Sequence, residues 1–171
     1  MSGVAIEIQL EDAGAGAALR ALRELGANLR PVMDDIGAEL ESSTLDRFET
    51  NIAPDGSAWP QSLASKLTGK PTLVRNAYLR DSVHYRLDGD SAVEIGAGGI
   101  AADYAAIHQT GGVITAKGEA LNFTLASGAF VQVQSVTIPA RPYLGLSDAD
   151  RLAIGDIVGD HLARAAASGA A

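Results

Sequence analysis

Residues 82–95 read Ser82-Val-His-Tyr-Arg-Leu-Asp-Gly-Asp-Ser-Ala-Val-Glu-Ile95. Val83, Tyr85 and Leu87 alternate with His84 and Arg86. Asp88-Gly89-Asp90 then turns the chain, and Ala92–Ile95 returns. Period-two alternation on both sides of a glycine turn predicts a β-hairpin. The order strand, helices, hairpin, further strands and helix does not repeat as βαβ units. The expected class is therefore α+β, a mainly antiparallel sheet with a long N-terminal helix and a C-terminal helix packed on one face, plus a β-hairpin extension.

Upstream, Val4, Ile6, Ile8 and Leu10 alternate with Glu7 and Gln9, which predicts a half-buried strand over 4–10. The period then changes. Leu19, Leu22, Leu25, Leu29, Val32, Met33, Ile36, Leu40 and Phe48 recur at three or four, predicting an amphipathic helix over about Ala17–Thr50. Pro31 lacks a backbone donor and disfavours helix at Arg30, so a kink or a break is expected there. Asn51–Pro60 is a loop, with Pro54-Asp55-Gly56 as its turn. Trp59, the only tryptophan, is expected to plug that loop onto the core, with a binding role as the alternative. Lys66, Lys70, Arg75 and Arg80 make a local basic patch over 62–80, either a solvated face or a contact for an acidic partner.

Downstream, residues 103–110 predict a short helix closed by Gly111-Gly112. Val113–Lys117, Leu121–Leu125 and Phe130–Pro139 are strand candidates, and the last changes phase near Ser135, predicting a bulge or bend. Ser147-Asp-Ala-Asp150 opens a final helix with its acids where the dipole favours them. Leu152, Ile154, Ile157, Val158 and Leu162 are its expected buried face. Residues 1–165 form one expected domain with 113–138 as its strand-rich extension, and 166–171 should fray.

The chain has 171 residues, no cysteine and a net charge of −8. Without Cys there are no disulfides, thiol nucleophiles or Cys-based zinc sites. The acidic balance argues against a broad nucleic-acid grip, which needs clustered Lys and Arg. No leader and no membrane span are expected, because no basic n-region opens the chain and 18 apolar residues nowhere run together.

Catalytic constellations are sparse. Gly96-Ala-Gly-Gly-Ile-Ala101 fits a relaxed dinucleotide pattern with Glu119 downstream, but the following helix is short and the flanking strands read as hairpin arms. No two of His84, His108 and His161 share a helix face at ligand spacing. His108 is read as a structural imidazole bonding a backbone carbonyl. No G-x-S-x-G is present, and Asp34, Asp35, Glu39 and Glu41 read as a solvated acidic face. No metal, cofactor or catalytic residue is expected.

Tyr104-Ala-Ala-Ile-His-Gln-Thr-Gly-Gly112, followed by Ile138-Pro-Ala-Arg-Pro-Tyr-Leu-Gly145, resembles the phage virion morphogenesis family. That family includes the tail completion protein S type of P2-like phages and the G-type protein of Mu-like phages. Pro54–Pro60 and Leu79–Val83 fit the same pattern, and the resemblance covers roughly residues 25–165. One departure bears on a turn: the family more usually has a glycine shortly before Leu79, where Asn76 and Ala77 stand. The resemblance marks Trp59, Tyr104, His108, Gln109, Gly111, Gly112, Phe123, Phe130, Arg141, Pro142 and Tyr143 as motif or interface candidates.

What it implies is a structural protein of the virion neck, a tail completion or tail terminator-type subunit that works as a homo-oligomeric ring, a hexamer by expectation. Its partners would be itself, the tail tube protein and the head-side connector or neck proteins, with genome DNA passing through without specific binding. A capsid-side assembly factor is the alternative, and a small hydrolase or nucleotide-binding domain the less favoured one. The residues add one expectation of their own. Val113-Ile-Thr, Leu121-Asn-Phe123 and Phe130–Gln134 have high β-propensity and few charges, so 113–138 either pairs with a neighbouring subunit or folds on its own core. Arg141 could meet an acid across such a seam.

Overall fold

The computed structural model describes residues 13–74, 76–125 and 127–169. The strand expected over 4–10, and Arg75 of the basic patch, lie outside the described residues. Helices α1 (Ala13–Ala27) and α2 (Arg30–Thr50) replace the single helix of the periodicity. The break falls at Asn28–Leu29, and Pro31 sits in the first turn of α2, where its missing N–H leaves no bond unmade. Asn51 ends α2 in the left-handed conformation, with its N–H on the Arg47 carbonyl.

After the short α3 (Leu63–Thr68) come β1 (Val83–Asp88) and β2 (Ala92–Ala97), an antiparallel hairpin with Tyr85 opposite Ile95. Helix α4 (Ala102–Thr110) leads into β3 (Gly112–Thr115), β4 (Leu121–Thr124), β5 (Phe130–Val133) and β6 (Ser135–Ile138). Helix α5 (Asp148–Gly169) closes the chain and continues past Ala165, where fraying was expected. The mainly antiparallel sheet is in fact three separate two-stranded ladders, β1–β2, β3–β6 and β4–β5. Each is antiparallel, so the α+β class stands.

The core has two parts joined by α2. Val32, Ile36 and Leu40 pack with Val93, Ile154, Ile157 and Val158. Phe48, Ala53, Trp59, Leu79, Val83, Ala101, Ala105 and Tyr143 form the second cluster. Helix α2 lies against both strands of the β1–β2 hairpin, with α5 along α1 and α2. Gly37 is what allows the hairpin so close: a Cβ there would lie 2.3 Å from the Tyr85 ring. The Tyr85 hydroxyl donates to Asp34 at 2.8 Å, and its N–H donates to Glu41. His161 meets Asp35 at 2.7 Å. Three of the acids expected to be merely solvated therefore tie α2 to its neighbours. On α5, Leu152 and Leu162 are exposed rather than buried.

The turn before Leu79 shows what the sequence departure costs. Ala77 holds φ 56° and Leu73 φ 70°, left-handed conformations that a Cβ disfavours. Ala77→Gly should relieve this strain by more than it adds chain entropy to the unfolded state, raising stability by roughly 0.5–1 kcal/mol. Urea unfolding of the two proteins reads the shift directly. A midpoint lowered by the glycine would contradict this reading.

Candidate functional site

Three motif segments converge at the C-terminal end of α4. Gln109 closes the junction with one side chain: its Oε1 accepts from the N–H of Tyr143 and of Leu144, each at 3.0 Å, and its Nε2 donates to the Leu144 carbonyl at 2.8 Å. The Arg141 N–H donates to the His108 carbonyl at 2.7 Å. Trp59 reaches over from the 51–60 loop and donates through Nε1 to the Pro142 carbonyl at 2.9 Å. Its ring meets Phe48 edge-on at 5.5 Å, and Tyr143 lies at 5.5 Å from the same Phe48. Asp55 shapes the loop itself, accepting from the N–H and hydroxyl of Ser57, while Gly56 takes φ 82°.

Arg141 is buried and donates through Nε to the Pro60 carbonyl at 2.7 Å. It has no acidic partner among the described residues. Burial pushes its pKa down. His108 departs from its expected role. Its buried Nδ1 has no hydrogen-bond partner, so the ring bonds no backbone carbonyl through that atom. Burial, then the nearby Arg141 charge, hold the imidazole below its usual range and therefore neutral at pH 7. It packs edge-on against Tyr104 at 5.9 Å instead. His84, on the outward phase as expected, contacts the Ser82 carbonyl.

The residue that the sequence did not single out is Arg47. Its Nη1 donates to the carbonyls of Tyr143 and Gly145 at 2.7 and 2.9 Å. Its Nη2 donates to Ser43 and pairs with Asp150 at 2.5 Å, both partners being almost wholly buried. Asp150 also accepts from the Ser43 hydroxyl and the Ser147 N–H, while the Ser147 hydroxyl accepts from the Asp150 N–H. Ser147 and Asp150 thus make a reciprocal capping box at the start of α5. Burial pushes the Asp150 carboxyl up, but the hydrogen bonds from Ser43 and Ser147 and the Arg47 charge outweigh it, leaving the pKa lowered. A signal was present: Arg47 stands on the same stripe as Leu40, Thr44 and Phe48, a cation at a core position.

From this junction the chain leaves the body as an arm. Gly111 holds φ 70° and ψ 174°, and a Cβ there would meet the Ala140 backbone nitrogen at 2.7 Å. Gly112 opposes Ile138 at the root. The β3–β6 and β4–β5 ladders run on as one two-stranded ribbon. Between them Ala116–Ala120 bulges out on one side against Gln134 alone on the other, with Ala116 N–H on the Gln134 carbonyl. This is the phase change expected near Ser135. The half-buried positions fall at Val131 and Val133 and then, after the shift, at Val136 and Ile138.

The ribbon's apolar pairs are Leu121 with Val133, Phe123 with Val131 and Ile114 with Val136. Its strands pack mainly on each other, and Val113, Ile114, Phe123 and Phe130 are all exposed, Phe130 at 69%. The extension is therefore not folded onto the core.

The motif residues Trp59, Tyr104, His108, Gln109, Gly111, Gly112, Arg141, Pro142 and Tyr143 are brought together at the root of the arm. Phe123 and Phe130 lie out along it. Gly96 and Ala97 belong to β2, and Gly98–Ala101 follow this antiparallel hairpin strand rather than leading into a parallel crossover, so the setting a dinucleotide turn needs is missing. Among the described residues no cluster of His, Asp or Glu could hold a metal ion, and no helix is long and apolar enough to cross a membrane.

The body is thus clasped around the root of an uncovered β arm. The chain belongs to the phage virion morphogenesis family, whose pattern it matches over residues 10–163. No curated protein and no solved structure shows significant similarity to it.

The clasp predicts a particular cost. Gln109→Ala leaves two backbone N–H groups and one carbonyl without partners, and should lower stability by about 2–3 kcal/mol. Gln109→Glu keeps the two acceptor bonds and loses the donor, so its cost should be smaller. A denaturation series of the three proteins checks the order, and an alanine variant as stable as the parent would remove Gln109 from the account.

Proposed function

We propose that the chain is a structural subunit of the phage head–tail neck, of tail completion or tail terminator type. In this reading copies form a homo-oligomeric ring that caps the tail tube and allows its joining to the head-side connector, with DNA passing through the lumen. It acts by assembly and carries no reaction. The observation that supports it best is the arm: a two-stranded ribbon with one apolar face is marginal alone in water and needs a covering surface. The charge of −8 suits a DNA passage, since cationic walls would bind phosphate and stall it.

Electron microscopy of lysates from phage with this gene disrupted tests the reading. Filled heads beside separate, finished-length tails are the expected result. Tails of uncontrolled length would move the protein to tail termination alone. Absent or aberrant heads would move it to the capsid side, and normal infectious particles would overturn the proposal.

A further inference from the structure

We infer that the apolar face of the arm seats in a groove alongside α4 on a second copy of the chain, giving a head-to-tail seam. This rests on the ring reading above. The groove is two adjoining cavities of about 290 and 350 Å³ that share Tyr78. One runs back to Tyr104 and His108, and the other opens along Gly98–Ile100. Ile100 is 81% exposed and Tyr78 56% exposed, so both apolar side chains stand uncovered on the body. Leu73 and Ala77, the two residues with strained left-handed backbone in this loop, line the first cavity. Strain of that kind persists only where the surrounding structure fixes the backbone.

The chain's own arm does not fill this groove. The arm leaves the body after Thr110, past His108 at the near end of the groove, and the groove's far end lies at Gly98–Ile100, before α4 begins. No arm residue lines either cavity. Two unlike surfaces, both uncovered and on one molecule, make a heterologous contact, which closes into a ring when the rotation permits.

Charge selects the same pairing. Between 112 and 138 the charged residues are Lys117 and Glu119, so the whole net charge of −8 sits outside the arm. Copies of the body repel one another, whereas the neutral arm can approach. The carboxylate on the groove wall, Asp81, is already engaged by Arg80 at 2.9 Å and offers little net charge to a docking apolar face.

Sedimentation of the full chain with two surface variants tests the seam. Phe123→Asp disables the arm face and Ile100→Asp the groove. Both residues are exposed, and circular-dichroism melts should match the parent. The parent is expected to sediment as a closed oligomer and each variant alone as a monomer. A one-to-one mixture of the variants should give a dimer and nothing larger, because one intact arm meets one intact groove. Variants that assemble like the parent, or a mixture that stays monomeric, would overturn the seam and leave the ring reading standing. A parent monomeric at every concentration would overturn the ring reading itself.

Discussion

Arg47→Met is expected to cost about 3–5 kcal/mol of stability, the largest loss of any single change considered, because it strands the buried Asp150 carboxylate and two backbone carbonyls. In a chain of this length that corresponds to a melting temperature lower by on the order of 10 °C. Adding Asp150→Leu should recover a large part of the loss, since replacing both charges removes the stranded one. A double variant as unstable as the sum of the two singles would show that the pair is not coupled.

The same carboxylate sets an acid limit. Its pKa is lowered in the folded state, so its contribution is fully present above the ordinary carboxylate range of about 4. That contribution is lost as pH falls through the folded value. Asp150→Asn should therefore flatten the acid limb of the stability–pH curve while lowering the plateau at neutral pH.

Gly111→Ala is the second large effect. With φ 70° and ψ 174° the residue sits in a region open essentially to glycine alone, costing a side chain about 1–3 kcal/mol. The added methyl would also press on the Ala140 nitrogen and the Ile138 carbonyl, which are backbone atoms and cannot rotate away. The Arg141-to-His108 bond next to it must then stretch. A total cost of about 3 kcal/mol or more is expected from these two sources. Hydrogen exchange should show faster exchange at Arg141 and along the root of the arm. Unchanged protection there would contradict the role given to Gly111.

Much of the local structure was legible because it rests on local rules. The Asp88-Gly89 turn, the closing Gly111, the phase shift beside Gln134 and the Ser147–Asp150 cap all follow from neighbours in sequence. What was not legible depends on distant partners. A single helix across Ala17–Thr50 could be divided by the proline rule only to within a few residues, and the break at Asn28–Leu29 falls just before the proline. The three separate ladders could not be told from one sheet, since alternation names a strand but not its neighbour. Asp34, Asp35 and Glu41 look solvated on a helical wheel until Tyr85 and His161 arrive from elsewhere. In the site, the motif positions were named but not their bonds. Gln109 is a backbone clasp and Arg47 a hidden strut, and only the three-dimensional approach of residues 143–145 makes either role visible.

In the proposed function the body is a clasped platform and the arm the element through which copies assemble. Complementing a disrupted gene with a copy lacking residues 113–137, then imaging the lysate by electron microscopy, tests this most directly. The account predicts a folded, expressed chain that fails to rescue, with filled heads and tails left unjoined as in the disrupted phage. Rescue to normal infectious particles by the armless chain would contradict it.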